Sequence, residues 1–342
     1  MLKTLQAGRA LAALSVAAFH LSITMGQQRY GGNPVFSEYT IHGNLGVDFF
    51  FVLSGFIILF AHHKDMGSPQ AWAPYLYKRF VRVFPIYWLY SAVFVLLLAL
   101  GFGTDARLPA SAIDWLTSIT LIRFSSAPPP LEPAWTLFHE IAFYVTFSVL
   151  ILSKRIGVMV LLCSALTALF FYHYPAENER TAFNVYTAAY GLYFLCGMGA
   201  FLLYRQGGRG LVECAAGLAI LVLAAATMPL PMNLSSIVFA VGFALLLAGV
   251  TKLETAAYVT IPAFLCLVGD ASYTIYLVHL ALEGVLLKLS MKMHLDEFAG
   301  ADATYILVLA GTIALGCVAY WYIERPLLAV FRRRRVAGPV FS

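Results

Sequence analysis

The sequence predicts an all-α integral membrane protein, a bundle of about ten transmembrane helices with both termini in the cytoplasm. Three observations carry this. Of 342 residues, 61% are apolar and only 11% are charged, whereas a soluble protein carries about 25% charged residues. The mean hydropathy is +0.81. Long apolar runs, such as 211–227, do not alternate as membrane β-strands would. Without water in the bilayer core, backbone groups must pair internally, which leaves helices or closed barrels.

A helical span needs about 20 mostly apolar residues. Taken in order, spans are expected near residues 8–26, 44–62, 83–102, 134–152, 156–174, 186–205, 211–228, 233–250, 264–290 and 303–325. The first is not read as a secretory signal, because Arg9 and His20 bracket its apolar stretch and no clean cleavage site follows. The longest link, 103–133, contains the apolar stretch Ile113–Phe124, which is too short to span and is expected at the interface or as a re-entrant piece. Pro128–Pro130 then stiffen the approach to the fourth span.

Orientation follows from the positive-inside rule. With a cytoplasmic N-terminus, 16 of the 22 Lys and Arg residues face the cytoplasm. They are Lys3, Arg9, Lys64, Lys78, Arg79, Arg82, Lys154, Arg155, Arg205, Arg209, Lys252, Arg325 and the run Arg332–Arg335. Arg29, Arg107, Arg123, Arg180, Lys288 and Lys292 then face outside. No loop is long enough for a second folded domain, so residues 1–342 read as one membrane domain with a basic cytoplasmic tail over 326–342. That tail either anchors the last helix at the anionic leaflet or serves only as a topology signal.

The net charge of +5 does not point to nucleic acid, because there is no soluble domain to carry a basic patch. The cysteines Cys163, Cys196, Cys214, Cys266 and Cys317 are scattered, without paired spacing. They read as apolar packing residues, and no metal site is expected.

Ionisable groups inside a bilayer are costly and mark functional sites by default. In the first span, Arg9 and His20 share a helix face and lie about 16 Å apart along the axis. Between them lie the small side chains of Ala12, Ala13, Val16 and Ala17. The pattern describes a slot, with a cation at the cytoplasmic mouth and an imidazole about halfway through. The bland reading is a snorkelling arginine and a hydrogen-bonded core histidine.

Asp48 starts the second span, as a functional carboxylate or as a helix N-terminal cap. Ser54 and Gly55 allow close helix packing. Before the third span, Lys78, Arg79 and Arg82 form a dense cationic group. It suits phosphate recognition or, more plainly, an interfacial anchor. In the fourth span Thr136, Glu140, Tyr144 and Ser148 follow i, i+4 spacing and make one polar stripe, while His139 points elsewhere. In the ninth, Ser272, Tyr276, His279 and Glu283 share a face, as an acid–base pair or as an interhelical hydrogen-bond seam. The tenth ends in a Glu324–Arg325 charge pair, read as structural.

The order of these motifs resembles the acyltransferase 3 family of integral membrane acyltransferases. The resemblance rests on Arg9 and His20; the segment Gly46 to Phe56; Arg79 and Arg82 before Pro85, Tyr87 and Trp88; Trp135, Thr136, Leu137, Glu140, Phe143 and Tyr144; Tyr276, Leu277 and His279; and Ile323 to Pro326. It covers about residues 5–330 and shows no clear departure from the family motifs. The opening Leu5 to Ala10 looks most like the exopolysaccharide and capsule acetyltransferase subgroup.

The resemblance implies transfer of an acyl group, usually acetyl from cytoplasmic acetyl-CoA, to a hydroxyl of a glycan or lipid-linked sugar at or beyond the outer leaflet. Some relatives carry an extra periplasmic hydrolase-like domain. These 342 residues hold none, so acceptor recognition is expected from the helices and outer loops. Arg9, Lys78, Arg79 and Arg82 are expected to hold the coenzyme A head by charge-assisted bonds, with the arm along the slot and the thioester near His20. His20 then acts as general base or takes the acyl group covalently. Glu140 or Asp48 orients the imidazole or binds acceptor hydroxyls. Trp135, Tyr144, Tyr276 and His279 are expected to support the site or the substrate. The setting is the cell inner membrane, with membrane lipids and polysaccharide-assembly proteins as further partners. The rival classes are a transporter or flippase for a sugar or small anion, and a non-catalytic assembly partner. Matched Gly/Pro-broken helices, the mark of many transporters, are absent.

Overall fold

A computed structural model describes residues 2–100, 108–172, 181–227 and 234–336, with side chains except at 234–236 and 332–336. Among these residues all regular structure is helical. Nine helices are long and apolar enough to cross a membrane, and Leu211–Thr227 is a tenth, shorter one. The outer ends expected for the third, fifth and seventh spans, the start expected for the eighth, Arg107, Arg180 and the Arg332–Arg335 side chains lie outside the described residues.

The ten are α1 (Lys3–Met25), α2 (Leu45–His62), α3 (Trp72–Ala99), α4 (Trp135–Leu152), α5 (Lys154–Phe171), α6 (Tyr190–Arg205), α7 (Leu211–Thr227), α8 (Leu234–Thr255), α9 (Ala263–Lys292) and α10 (Ala301–Ala319). The apolar stretch in the 103–133 link forms only the nine-residue helix Ala112–Thr120, opened by a reciprocal Ser111–Asp114 capping box.

Two elements run past their expected ends. The third was expected to start at residue 83, yet α3 begins at Trp72 and runs through Pro85. Lys78, Arg79 and Arg82 therefore sit on a helix, not in a loop. Hydropathy ends a span at the first charges, but a helix continues while its cations have somewhere polar to point. The tenth was expected to end at 325. After α10 the chain passes through a π-turn, Tyr320–Glu324, into a further helix, Arg325–Val336. Pro326, which cannot donate a backbone hydrogen bond, sits in the first turn of that helix, where none is needed.

The N-terminus of α1 is held by α8. The backbone N–H groups of Lys3 and Thr4 donate to the Glu254 carboxylate at 2.7 and 2.8 Å, and the Thr4 hydroxyl adds a third bond. This satisfies donors that a helix start otherwise leaves open. α1 packs closely on α9, where a Cβ at Gly269 would lie 2.1 Å from the Gln6 carbonyl oxygen. α2 crosses α6 just as closely. A Cβ at Gly55 would lie 2.0 Å from the Phe194 carbonyl oxygen, and one at Gly197 would lie 1.8 Å from that of Val52. Only glycine permits such backbone contact.

The core lies among α1, α2, α3, α4, α6 and α9, and is rich in aromatic rings such as Phe56, Phe138, Phe147 and Phe194. α5 and α7 are peripheral. Leu166, Phe170 and Val212 point outward from them and are exposed, as lipid-facing side chains are.

Candidate functional site

The face of α1 between Arg9 and His20 does not line an open slot. Ala12, Ala13, Val16 and Ala17 are all buried. A Cβ on Gly46 of α2 would press on the Ala12 carbonyl oxygen at 2.6 Å, and Ala13 packs with Ala271 and Ile275 of α9. Small residues served helix association here, as they commonly do in membranes. This corrects the slot expected from the sequence.

The open space lies beside α1. A cavity of about 110 Å³ sits between α2, α3, α4 and α9, and α1 contributes only Arg9 to its lining. Arg79 and Arg82 enter from α3, Thr136, Glu140 and Tyr144 from α4, and Ser272, Tyr273 and Tyr276 from α9. α2 supplies an apolar wall that includes Phe50, Leu53 and Ile57. Each polar group reaches the space because its helix stripe faces the bundle interior at i, i+3 or i+4 spacing.

The three guanidinium groups are held differently. The Arg9 Nε donates to the Ser272 hydroxyl at 3.0 Å. Arg82 makes an ion pair with Glu324 at 3.3 Å and lies over the Tyr273 ring at 5.3 Å. Glu324 is fully buried and also accepts from the Thr274 hydroxyl at 2.6 Å. Arg79 lies over the rings of Tyr75 and Tyr144, at 5.9 and 5.7 Å, a cation–π arrangement. Its Nε is buried and has no hydrogen-bond partner among the described residues. The Tyr144 hydroxyl donates to Glu140. With three cations against Glu140 and Glu324, the group keeps an excess positive charge.

The inner end of the cavity is closed. The Tyr276 hydroxyl donates to the Thr136 hydroxyl oxygen at 3.1 Å, and the Tyr276 ring sits 5.8 Å from the Phe50 ring. Together α9, α4 and α2 make a ceiling. Immediately beyond it on α9 is His279, whose ring lies 5.9 Å from that of Tyr276. The His279 Nε2 lies 3.2 Å from the Nδ1 of His20. The two histidines, 259 positions apart, meet across the α1–α9 seam. One turn further on, Glu283 is fully buried, and neither carboxyl oxygen has a hydrogen-bond partner among the described residues.

The structure thus brings Arg9, Arg79, Arg82, Glu140, Tyr144 and Tyr276 to one cavity, with His20 and His279 just past its ceiling. Besides the two histidines, it leaves three further expected residues outside the lining. Lys78 is exposed on α3. Asp48 is fully buried in the first turn of α2, where a carboxylate favours the helix dipole. Trp135 packs against His139 and Tyr190, with ring centroids 5.9 and 5.6 Å away. Glu324 acquires a different partner from the one its sequence neighbour suggested. It reaches across to Arg82, while Arg325 lies over the Trp321 ring at 4.2 Å. An acidic residue ending an apolar span, opposite a basic group starting another, was the signal for that pair.

No solved structure matches the chain. The exopolysaccharide production protein ExoZ of Rhizobium meliloti is 31% identical over 321 residues, which cover 86% of this chain and 93% of that protein. The acyltransferase MdmB of Streptomyces mycarofaciens is 26% identical, over 96% of this chain and 92% of its own. A third relative, protein 2 in the picA locus of Rhizobium radiobacter, is 30% identical over 39% of this chain. The sequence pattern of the acyltransferase domain matches residues 2–322. Ten apolar helices, a cationic cavity within them and this match lead to one conclusion: the chain belongs to the acyltransferase 3 family of membrane proteins and is an O-acyltransferase.

Proposed function

We propose that the protein transfers acetyl from cytoplasmic acetyl-CoA to a hydroxyl of an extracytoplasmic or lipid-linked glycan, at the cell inner membrane, with His20 as the base. The observation that carries this reading is the placement of a cationic cavity next to a contacting pair of imidazoles, with Tyr276 between them. Below the Tyr276–Thr136 ceiling lies a cationic cavity, and above it lies an imidazole pair.

Coenzyme A presents phosphates at one end and a thin arm at the other. Arg79 has an open donor for a phosphate or arm oxygen, and Arg9 adds charge beside it. A charge-assisted bond of this kind is about twice as strong as a neutral one. A cavity of about 110 Å³ suits the arm rather than the nucleotide head, which stays at the basic end of the bundle. Arg82, tied to Glu324, shapes the mouth and contributes field more than contact.

At the far end, the acceptor hydroxyl approaches His20. Its proton passes to the imidazole as its oxygen attacks the thioester carbonyl. The C–S bond breaks, and the thiolate takes the proton back from the imidazolium, so nothing is left over. Glu140 lies within the cavity below the ceiling and supports the donor side through Tyr144. A glycan acceptor is supported by the relative named for exopolysaccharide production.

The test is thioester loss from labelled acetyl-CoA by the purified protein, with and without a crude glycan acceptor. Acceptor-dependent loss, with label recovered in glycan, is expected. Uptake of label without thioester cleavage would instead indicate a transporter. Orientation has its own check: a cysteine replacing Asp296 should react with an impermeant thiol reagent from outside the cell.

A further inference from the structure

The contacts of the two imidazoles decide which nitrogen of His20 is basic. Hydrogen positions follow from the partners each nitrogen meets. The Nδ1 of His279 lies 2.7 Å from the Tyr276 carbonyl oxygen, which can only accept. That nitrogen must carry the proton. In a neutral imidazole the other nitrogen then holds a lone pair, so the His279 Nε2 is an acceptor. It faces the Nδ1 of His20 at 3.2 Å. The Nδ1 of His20 also lies 2.9 Å from the Val16 carbonyl oxygen. Both neighbours are acceptors, so this nitrogen too must be N–H.

The opposite assignment fails twice. It would set a lone pair of His279 against the Tyr276 carbonyl at 2.7 Å, and one of His20 against the Val16 carbonyl at 2.9 Å. Two backbone carbonyls on two helices therefore impose the same tautomer on both rings. The consequence is that the lone pair of His20 is on Nε2.

We infer that His279 is a positioning residue, which fixes the tautomer and ring orientation of His20 and steadies the imidazolium that His20 becomes. This rests on the assignment of His20 as the base. As His20 takes the hydroxyl proton on Nε2, positive charge spreads to its Nδ1–H, and that bond to His279 strengthens. His279 does for His20 what a carboxylate does for the histidine of a hydrolase triad, but without charge. In a bilayer interior this matters, because an ion held there between reactions is costly. A neutral acceptor supports the charged state only while it exists. The Tyr276 carbonyl makes the arrangement rigid, and it belongs to the residue whose phenol closes the donor cavity.

Three replacements separate positioning from mere packing. Glutamine places its side-chain amide where Nε2 stood, and can still accept from His20. Asparagine places its amide where Nδ1 stood, and can bond only the Tyr276 carbonyl. Phenylalanine keeps the ring and no acceptor. With purified protein, acetyl-CoA and a glycan acceptor, His279→Phe and His279→Asn should each lower kcat about 10²-fold. KM for acetyl-CoA should stay within about twofold, since the donor cavity is untouched. His279→Gln should recover kcat to within about tenfold of the parent. A second readout needs no turnover. The ¹⁵N spectrum of histidine-labelled protein, with the His20 signals assigned by their loss in His20→Gln, should show the Nδ1–H form, and His279→Phe should mix the two forms. Equal rates for the asparagine and glutamine variants, an undiminished His279→Phe, or an Nε2–H form of His20 would each overturn the inference. If His20→Ala itself keeps full activity, the base assignment fails first. If His20→Ala is dead and all His279 variants are normal, only the role of His279 fails.

Discussion

The two sides of Tyr276 handle polarity in opposite ways. Below, Arg9, Arg79 and Arg82 face Glu140 and Glu324, so the space is charged, partly compensated and open to the basic end. Above, His20 and His279 meet as two imidazoles held by backbone carbonyls. The first arrangement suits binding a permanent anion, since a fixed cation attracts it before any chemistry starts. The second suits holding a proton briefly, since an imidazole can take up a proton on one nitrogen and return it. On the proposed function, donor binding and proton transfer lie on opposite sides of one aromatic residue, Tyr276.

The sharpest way to break this comparison is at His20. His20→Ala should keep acetyl-CoA binding and lower acetyl transfer by about 10² or more, measured as label in glycan alongside calorimetric binding. A variant that loses binding and transfer together would mean that the donor cavity and His20 do not act separately. Below the ceiling, Arg79→Ala should weaken acetyl-CoA binding about tenfold, the worth of one charge-assisted bond, with kcat at saturation little changed. Arg82→Ala should act differently. It leaves Glu324 buried without its cation, so thermal unfolding in detergent should drop further than for Arg79→Ala. Equal unfolding midpoints would show that the Arg82–Glu324 pair is not structural.

Tyr276→Phe keeps the ring against Phe50 but removes the bond to Thr136. A looser ceiling should raise acceptor-independent thioester loss by a few-fold, about 3-fold for a hydrogen bond of this kind, read as free thiol without glycan. No increase would remove the ceiling as a barrier to water. The smallest effect is expected at Lys78, which is exposed outside the cavity lining. Lys78→Ala should leave acetyl-CoA binding within about twofold at physiological salt, because a surface charge is screened. A larger loss would extend the donor site out along α3.

Much of this architecture was legible from residue spacing. Periodicity found the Thr136–Glu140–Tyr144 stripe and the Ser272–Tyr276–His279 face, since a helix repeats its neighbours every three or four residues. Thr136, Glu140, Tyr144, Ser272 and Tyr276 of these faces line the cavity, whereas Ser148, His279 and Glu283, expected on the same faces, do not. The partners across helices were not legible. Nothing local says that Arg9 meets Ser272, that Tyr276 meets Thr136, or that Glu324 turns to Arg82 rather than Arg325. The small face of α1 misled for a related reason. Alanines permit a passage or a close neighbour equally well, and Gly46 of α2 with Ala271 and Ile275 of α9 decided for the neighbour. Hydropathy likewise cut α3 at its charges, although the helix continues beneath them to Trp72.

The α1–α9 seam also sets a schedule for synthesis. α1 leaves the ribosome long before α9, carrying Arg9 and His20 into the bilayer. Its lasting partners follow far behind, with Glu254 capping its start and Ser272 and His279 receiving those two side chains. At about 5–20 residues per second, some 250 residues of delay amount to tens of seconds. During that time a guanidinium and an imidazole lie in or beside lipid without their final neighbours. The nascent protein must shelter them, against the insertion machinery or at the membrane surface, until the ninth span arrives. A chain that stalls before residue 263 would therefore display two polar groups in the membrane, a ready mark for quality-control proteases.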